Sequence, residues 1–324
     1  MEINVRMIHA IPRVLQRNMV LSIPMVLLLG FGVGLFYDTK SLQFLVFPLT
    51  IVMIYPTMVG INFKQLFSKG DTTLQVSALL MNFVLTPLIA YALGWVFFSN
   101  EPLLHLGFFL TGLLPTSGMT LSWTQMASGN LPAAVKMTII GLVVGALLTP
   151  IYLMKVFGAS VDVPLLKTLQ QIVFIVFVPL AMGFATQRLL LKRYGKNKFV
   201  KDLKPLFGPW GTIGVLGVQF LAISLKSKDI LDNPRILLLL GLPVLLFFVI
   251  NFVLSTFFAR FAKTRENGVA FIYGTVLRNL SIALALVMTV FGAEASEAAL
   301  LISMGFIFQA QLAAWHVKLL KHWL

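Results

Sequence analysis

The chain has 324 residues, of which 58% are hydrophobic and only 11% charged. Soluble domains carry roughly a quarter charged residues, so a water-soluble core is excluded as the place where this apolar surface is buried. The net charge of +14 reads as basic loops facing anionic lipid, with no nucleic-acid partner, and the absence of Cys excludes disulfides and thiolate metal sites.

Long uncharged runs, rather than alternating ten-residue segments, select membrane helices over a β-barrel. In chain order, runs long enough to cross a hydrocarbon layer of about 30 Å lie near 19–37, 41–61, 74–98, 104–127, 133–157, 168–187, 206–225, 236–259, 268–291 and 298–317. The expected fold is therefore an all-α integral membrane protein with ten transmembrane helices. The basic N-terminal stretch runs into a full-length apolar segment without an A-x-A-like site, so no signal peptide is expected.

A cytoplasmic N-terminus would put Arg6, Arg13, Arg17, Lys64, Lys69, the seven cations from Arg188 to Lys204, Arg260, Lys263, Arg265, Lys318 and Lys321 inside. Lys40, Lys155, Lys167, Lys226, Lys228 and Arg235 would lie outside. Positive charge on the inner side places both termini in the cytoplasm of a multi-pass protein of the cell (plasma) membrane.

The basic stretch from Arg188 to Lys204 divides the helices into five and five, at about 19–157 and 168–317. An odd number per half makes related halves inverted repeats, a transporter design. Asn82-Phe83-Val84-Leu85-Thr86 in helix three and Asn251-Phe252-Val253-Leu254-Ser255 in helix eight stand 169 residues apart, in the third helix of each half.

The following segments, Gly112 to Thr120 in helix four and Gly274 to Ser281 in helix nine, interrupt apolar runs. Pro115 removes a backbone donor and Gly118 loosens the turn, while Thr116, Ser117, Thr120, Asn279 and Ser281 bring polar groups. Opened backbone at membrane depth belongs where it is buried in protein or lines a cavity, and half-helix ends bind ions. Helices four and nine are therefore expected to be broken around a site for a small-molecule solute. The alternative is that Pro115 only kinks its helix, as Pro24, Pro56, Pro87, Pro150, Pro179 and Pro243 do in theirs.

Two cations fall in apolar spans. Arg278, near the middle of the ninth, costs at least ~2.5–3.5 kcal/mol on insertion scales. Either an anionic substrate compensates it or carbonyls of the broken helices hold it. Lys136, one turn inside helix five, either faces the site or reaches the interface. His9, His105, His316 and His322 are scattered and without carboxylates beside them, so no metal site and no cofactor are expected. Neither H-E-x-x-H nor G-x-S-x-G occurs, which argues against an intramembrane enzyme.

Gly112-x-x-Pro115, Gly129-Asn130, Leu148-Thr149-Pro150, Asn279 before an Ala-rich run, and Trp315-His316 together resemble the bile acid:sodium symporter superfamily. The resemblance implies a core of helices three to five and eight to ten, and a panel of helices one, two, six and seven. Helices four and nine would cross in the core, and transport would proceed by alternating access.

The resemblance also implies two sodium sites, whose acidic position reads Gly274 here, whose helix-nine Gln reads Arg278, whose helix-three Gln reads Asn82 and whose Ser-Asn pair reads Thr120-Leu121. Only Asn82, Thr120 and Thr138 remain as ligands. The expected function is sodium-independent transport of a small, anionic organic solute. The alternatives are a sodium-coupled symporter or an arsenite efflux carrier, although the Cys and acidic positions of the related arsenite exporters read Thr116 and Ser281.

Overall fold

The computed structural model describes residues 10–60, 71–161 and 164–323. Arg6, His9, Lys64 and Lys69, named above, lie outside them. Among the described residues the chain is all helical and forms no strand.

Among the described residues six helices are long and apolar enough to cross a membrane by length and composition: Thr39–Val59, Thr72–Phe98, Leu131–Phe157, Leu166–Ser224, Arg235–Ala259 and Gly292–Leu320. A seventh follows if Ala10–Arg17 and Leu21–Phe36, bent by 106°, form one span. The difference from the ten expected runs has two physical sources. The runs near 104–127 and 268–291 are each split into two short helices, and the sixth and seventh fall within one helical stretch of 59 residues. Such a stretch would measure roughly 90 Å if straight, about three hydrocarbon thicknesses. Gly195 interrupts it, with φ 76° and ψ 163°, a conformation that a side chain would strain.

The helices needed below are α1 (Thr72–Leu80), α2 (Thr86–Phe98), α3 (Pro102–Leu113), α4 (Gly118–Met126), α5 (Leu131–Phe157), α6 (Lys204–Ser224), α7 (Arg235–Ala259), α8 (Arg265–Val276), α9 (Leu280–Val290) and α10 (Ser296–Trp323). Two compact units emerge. The first comprises the described parts of Met1–Ile61, Leu166–Asn233 and Leu284–Ala299; the second those of Asn62–Leu165, Pro234–Ala283 and Leu300–Leu324.

In the first unit, α6 packs through small residues. A Cβ on Gly214 would come within 2.3 Å of the Met53 nitrogen, and one on Gly30 within 2.7 Å of the Phe220 carbonyl. Such close backbone approach replaces the hydrophobic drive that lipid does not supply. At the far end of α6, Lys226 meets Asp229 at 2.8 Å and Glu297 at 3.0 Å. Burial opposes its charge, but the two carboxylates together outweigh that and raise its pKa.

In the second unit, polar groups tie helices together. Thr86 donates to Asn251 Oδ1 at 3.1 Å, and Thr275 donates to Ser255 Oγ at 2.9 Å. The repeated Asn…Thr and Asn…Ser segments are thus joined to each other and to α8.

Candidate functional site

The site lies in the second unit, where two interrupted helices cross. Pro115 ends α3 because it offers no N–H and pushes the preceding residue out of the helical region. Leu114 accordingly adopts φ −91°, ψ 100°. Thr116 takes φ 58°, a left-handed conformation unusual for a β-branched residue and held only where neighbours determine it. The second break needs no proline: Leu277 is extended, and Asn279 caps the next helix by accepting from the Ile282 N–H at 3.3 Å.

The opened segments satisfy one another as a short antiparallel bridge between Pro115 and Arg278. Thr116 N–H donates to the Leu277 carbonyl at 2.8 Å, and Asn279 N–H donates to the Leu114 carbonyl at 2.8 Å. Pro115 has no donor to satisfy, but its opposite number, Arg278, does. Gln309 of α10 resolves this: its Oε1 accepts from Arg278 N–H at 2.6 Å, while its Nε2 lies 3.5 Å from the Arg278 carbonyl. Both residues are fully buried.

The Arg278 guanidinium reaches the last turns of both leading half-helices. Nη2 donates to the Gly112 carbonyl of α3, and Nη1 donates at 3.0 Å to the Thr275 carbonyl of α8 and at 2.6 Å to Asn82 Oδ1. Asn82 is oriented in turn, donating to the Gly274 carbonyl at 2.9 Å. It stands in a π-type turn, Met81–Leu85, where Thr86 N–H bonds back to the Met81 carbonyl and widens the helix.

This arrangement sorts the dipoles of the crossing. Carbonyls at the C-terminal ends of α3 and α8 carry partial negative charge, and one fixed cation covers both ends. The N-terminal ends of α4 and α9 keep their partial positive charge. Ser117, the N-cap of α4, stands in a capping box with Thr120, and Arg278 Nε is buried without a hydrogen-bond partner. Among the described residues no carboxylate forms an ion pair with Arg278. Three charge-assisted bonds of about 1.5–3 kcal/mol each offset a desolvation cost of several kcal/mol, leaving the charge itself uncompensated.

The remaining singled-out residues divide. Thr116 Oγ1 donates to the Pro115 carbonyl at 2.8 Å and approaches the Thr138 carbonyl at 3.4 Å, which brings α5 to the crossing. Thr120 Oγ1 accepts from Ser117 N–H at 3.2 Å, and Thr138 Oγ1 donates within its own helix to Ala134 at 2.9 Å. Ser281 is half-buried in the first turn of α9. Lys136 stands elsewhere: its Nζ pairs with Asp71, the residue before α1.

A match to the model of the Sodium Bile acid symporter family covers residues 47–233, more than half of the chain. The protein belongs to the Sodium Bile acid symporter family. That family is one of transporters rather than enzymes, and the apolar helices are those of a membrane protein. The chain is 26% identical to the arsenical-resistance protein Acr3 of Corynebacterium glutamicum over 266 residues, 76% of this chain and 70% of that protein. Acr3 of Alkaliphilus metalliredigens is 23% identical over 293 residues, 84% and 80% of the two chains. The sodium/bile acid cotransporter 7 of rat is 27% identical over 214 residues, 62% and 59%.

Sequence reading overlooks Gln309, Thr275 and Asp71. Gln309 is an amide in a helix with no break, and no local signal distinguishes it. Asp71 sits 65 positions from Lys136, too far apart for any local signal to pair them.

Proposed function

We propose that this member of the family is a secondary transporter of a small organic anion that works without sodium. The observation that carries the reading is the Arg278 guanidinium on the Gly112 and Thr275 carbonyls and Asn82. In transporters with interrupted helices, opened carbonyls and half-helix C-termini coordinate the coupling cation, while half-helix N-termini face anionic substrate. Here a tethered cation occupies the oxygens that a mobile one needs, and the N-termini of α4 and α9 and the unpartnered Arg278 Nε are left for an anion. Asn82, Thr120 and Thr138, the remaining candidate sodium ligands, all have protein partners.

The wider architecture in this reading is ten spans in two inverted five-helix repeats, with both termini in the cytoplasm of the plasma membrane, moving solute by alternating access. Its support is the excess of Lys and Arg in alternate connecting segments, the paired breaks, and the division into units. The first unit holds the helices expected of a panel together with Leu284–Ala299, which includes the end of expected core helix nine, and the second holds expected core helices three to five and eight with the crossing.

The decisive measurement is binding of radiolabelled mono- and dicarboxylates, and of taurocholate, to purified protein in sodium or choline buffer. At least one anion is expected to bind equally in both, and Arg278→Gln to weaken it about 30-fold or more, as for loss of a buried charge partner. Binding that requires sodium overturns the reading.

A second reading, arsenite efflux, is favoured by the names of the Acr3 relatives. The chain has no Cys to bind arsenic as a thiolate. Growth of an arsenite-sensitive strain restored by this protein would favour it.

A further inference from the structure

A half-buried titratable side chain that the anion site does not use touches Tyr273, the residue before Gly274 of its hydrogen-bond network. His316 of α10 is half-buried between α7 and α8. Its Nε2 lies 2.7 Å from Thr256 Oγ1, and Thr256 gives its own proton to the Phe252 carbonyl at 2.6 Å. The Thr256 oxygen is therefore an acceptor toward the ring, which assigns the proton of the neutral imidazole to Nε2. Nδ1 is then a bare lone pair, 3.4 Å from the Tyr273 hydroxyl. A groove of about 430 Å³ runs to this ring and is lined also by Thr256, Arg260 and Trp315. Arg260 follows the C-terminal end of α7, so the groove extends toward the basic segment that carries Arg260, Lys263 and Arg265.

Tyr273 precedes Gly274, whose carbonyl holds Asn82, and Asn82 holds Arg278. The ring and the guanidinium are thus linked through two adjacent residues of the final turn of α8, Tyr273 and Gly274. The titratable or charged groups facing His316 are Tyr273 from α8 and Arg260 from α7, and the groove lining contains no carboxylate. Phe252 and Tyr273 present ring systems to it, with centroids at 5.1 Å and 6.0 Å.

We infer that His316 Nδ1 is the proton-binding site of an anion–proton symporter. The inference rests on the anion reading of the crossing. A proton on Nδ1 adds a second positive charge to a region that already holds Arg278 without a carboxylate, so it is favoured when an anion is bound. By reciprocity the proton must favour the anion equally. The balance is simple: one proton enters His316 from water as a monoanion enters the crossing, both leave together, and no net charge moves. Protonation also forces the Tyr273 hydroxyl to turn from donor to acceptor at the last turn of α8, which gives the coupling a mechanical element.

The test is calorimetry of the tightest-binding carboxylate of the panel on detergent-purified full-length protein, in buffers of different ionisation enthalpy, from about pH 6 to about pH 8. In the wild type, proton uptake approaching one per anion is expected at the alkaline end, with affinity rising about tenfold or more toward the acid end. His316→Gln, which keeps a donor and an acceptor but cannot charge, should still bind anion, with no proton uptake and a flat pH profile. Anion binding without proton uptake in the wild type overturns the inference and leaves the anion reading standing, and this outcome does not depend on the variant folding. A pH profile retained in His316→Gln overturns it as well. If no anion binds at any pH, the anion reading fails and the inference fails with it.

Discussion

Two cations are buried in the second unit, and the fold treats them in opposite ways. Lys136 has a carboxylate, Asp71, and the two side chains shield each other at 9% and 12% exposure. Arg278, with no exposure at all, has only dipoles: two helix-end carbonyls and one amide oxygen. A full counter-charge cancels a buried cation and makes it a fixture of the packing, whereas dipoles hold it in place and leave its charge to be felt. The difference sets Lys136, neutralised by a carboxylate, apart from Arg278, which has no counter-charge among the described residues, although both are basic residues in apolar runs.

The largest expected effect comes from removing the uncancelled charge. Arg278→Leu leaves the Gly112 and Thr275 carbonyls and Asn82 without their donor, each at about 1–3 kcal/mol. Thermal unfolding in detergent should show a loss larger than for any other single change named here. The loss should appear together with loss of anion binding. A variant of wild-type stability would mean that the guanidinium does not hold the crossing.

Next in size is Asp71→Asn, which takes the counter-charge from the buried Lys136 ammonium and should cost about 3–5 kcal/mol. The double change Asp71→Asn with Lys136→Met should recover most of this, because both charges go together. The same pair of changes should leave anion affinity near wild type. A large affinity loss in the stable double variant would erase the contrast between the two cations and give Lys136 a part in the site.

Gln309→Ala sharpens the Arg278 side of the contrast. It orphans the buried Arg278 N–H at about 1–3 kcal/mol while leaving the guanidinium bonds in place. Stability should fall by that amount, and anion affinity should fall less than in Arg278→Gln. Gln309→Glu, which keeps the acceptor but introduces a carboxylate beside Arg278, should retain the backbone bond and still weaken the anion by cancelling the charge.

The smallest effect is expected in the first unit. The pKa of Lys226 is raised, so its contribution to stability is fully present below the pKa of an unfolded lysine and is lost as pH rises through the higher folded value. Because Lys226 is only half-buried and its partner Asp229 is exposed, solvent screens the cluster, and the change should be a shallow decline in unfolding temperature confined to strongly alkaline pH, absent in Lys226→Met.

Much of the fold is legible without coordinates because membrane helices are written in composition: the long apolar runs are helical, and the two expected to open, near 104–127 and 268–291, are each broken in mid-span. Pro115 and the Asn279 cap are local chemistry, and so are the breaks they impose. The partners of the charges are different in kind. Asp71 and Lys136 are 65 positions apart, and Arg278 and Asn82 are 196.

By itself, then, the sequence determined that the chain needs lipid as its solvent, where its helices run and where two of them must open, since hydropathy and backbone propensity act within a few residues. Only the tertiary structure decided that Arg278 spans the carbonyl ends of both half-helices, that Gln309 completes the bridge, and that Lys136 is neutralised by Asp71. Hydrogen bonds and ion pairs act over about three ångströms of space, and which distant residues come that close is settled by how the helices pack.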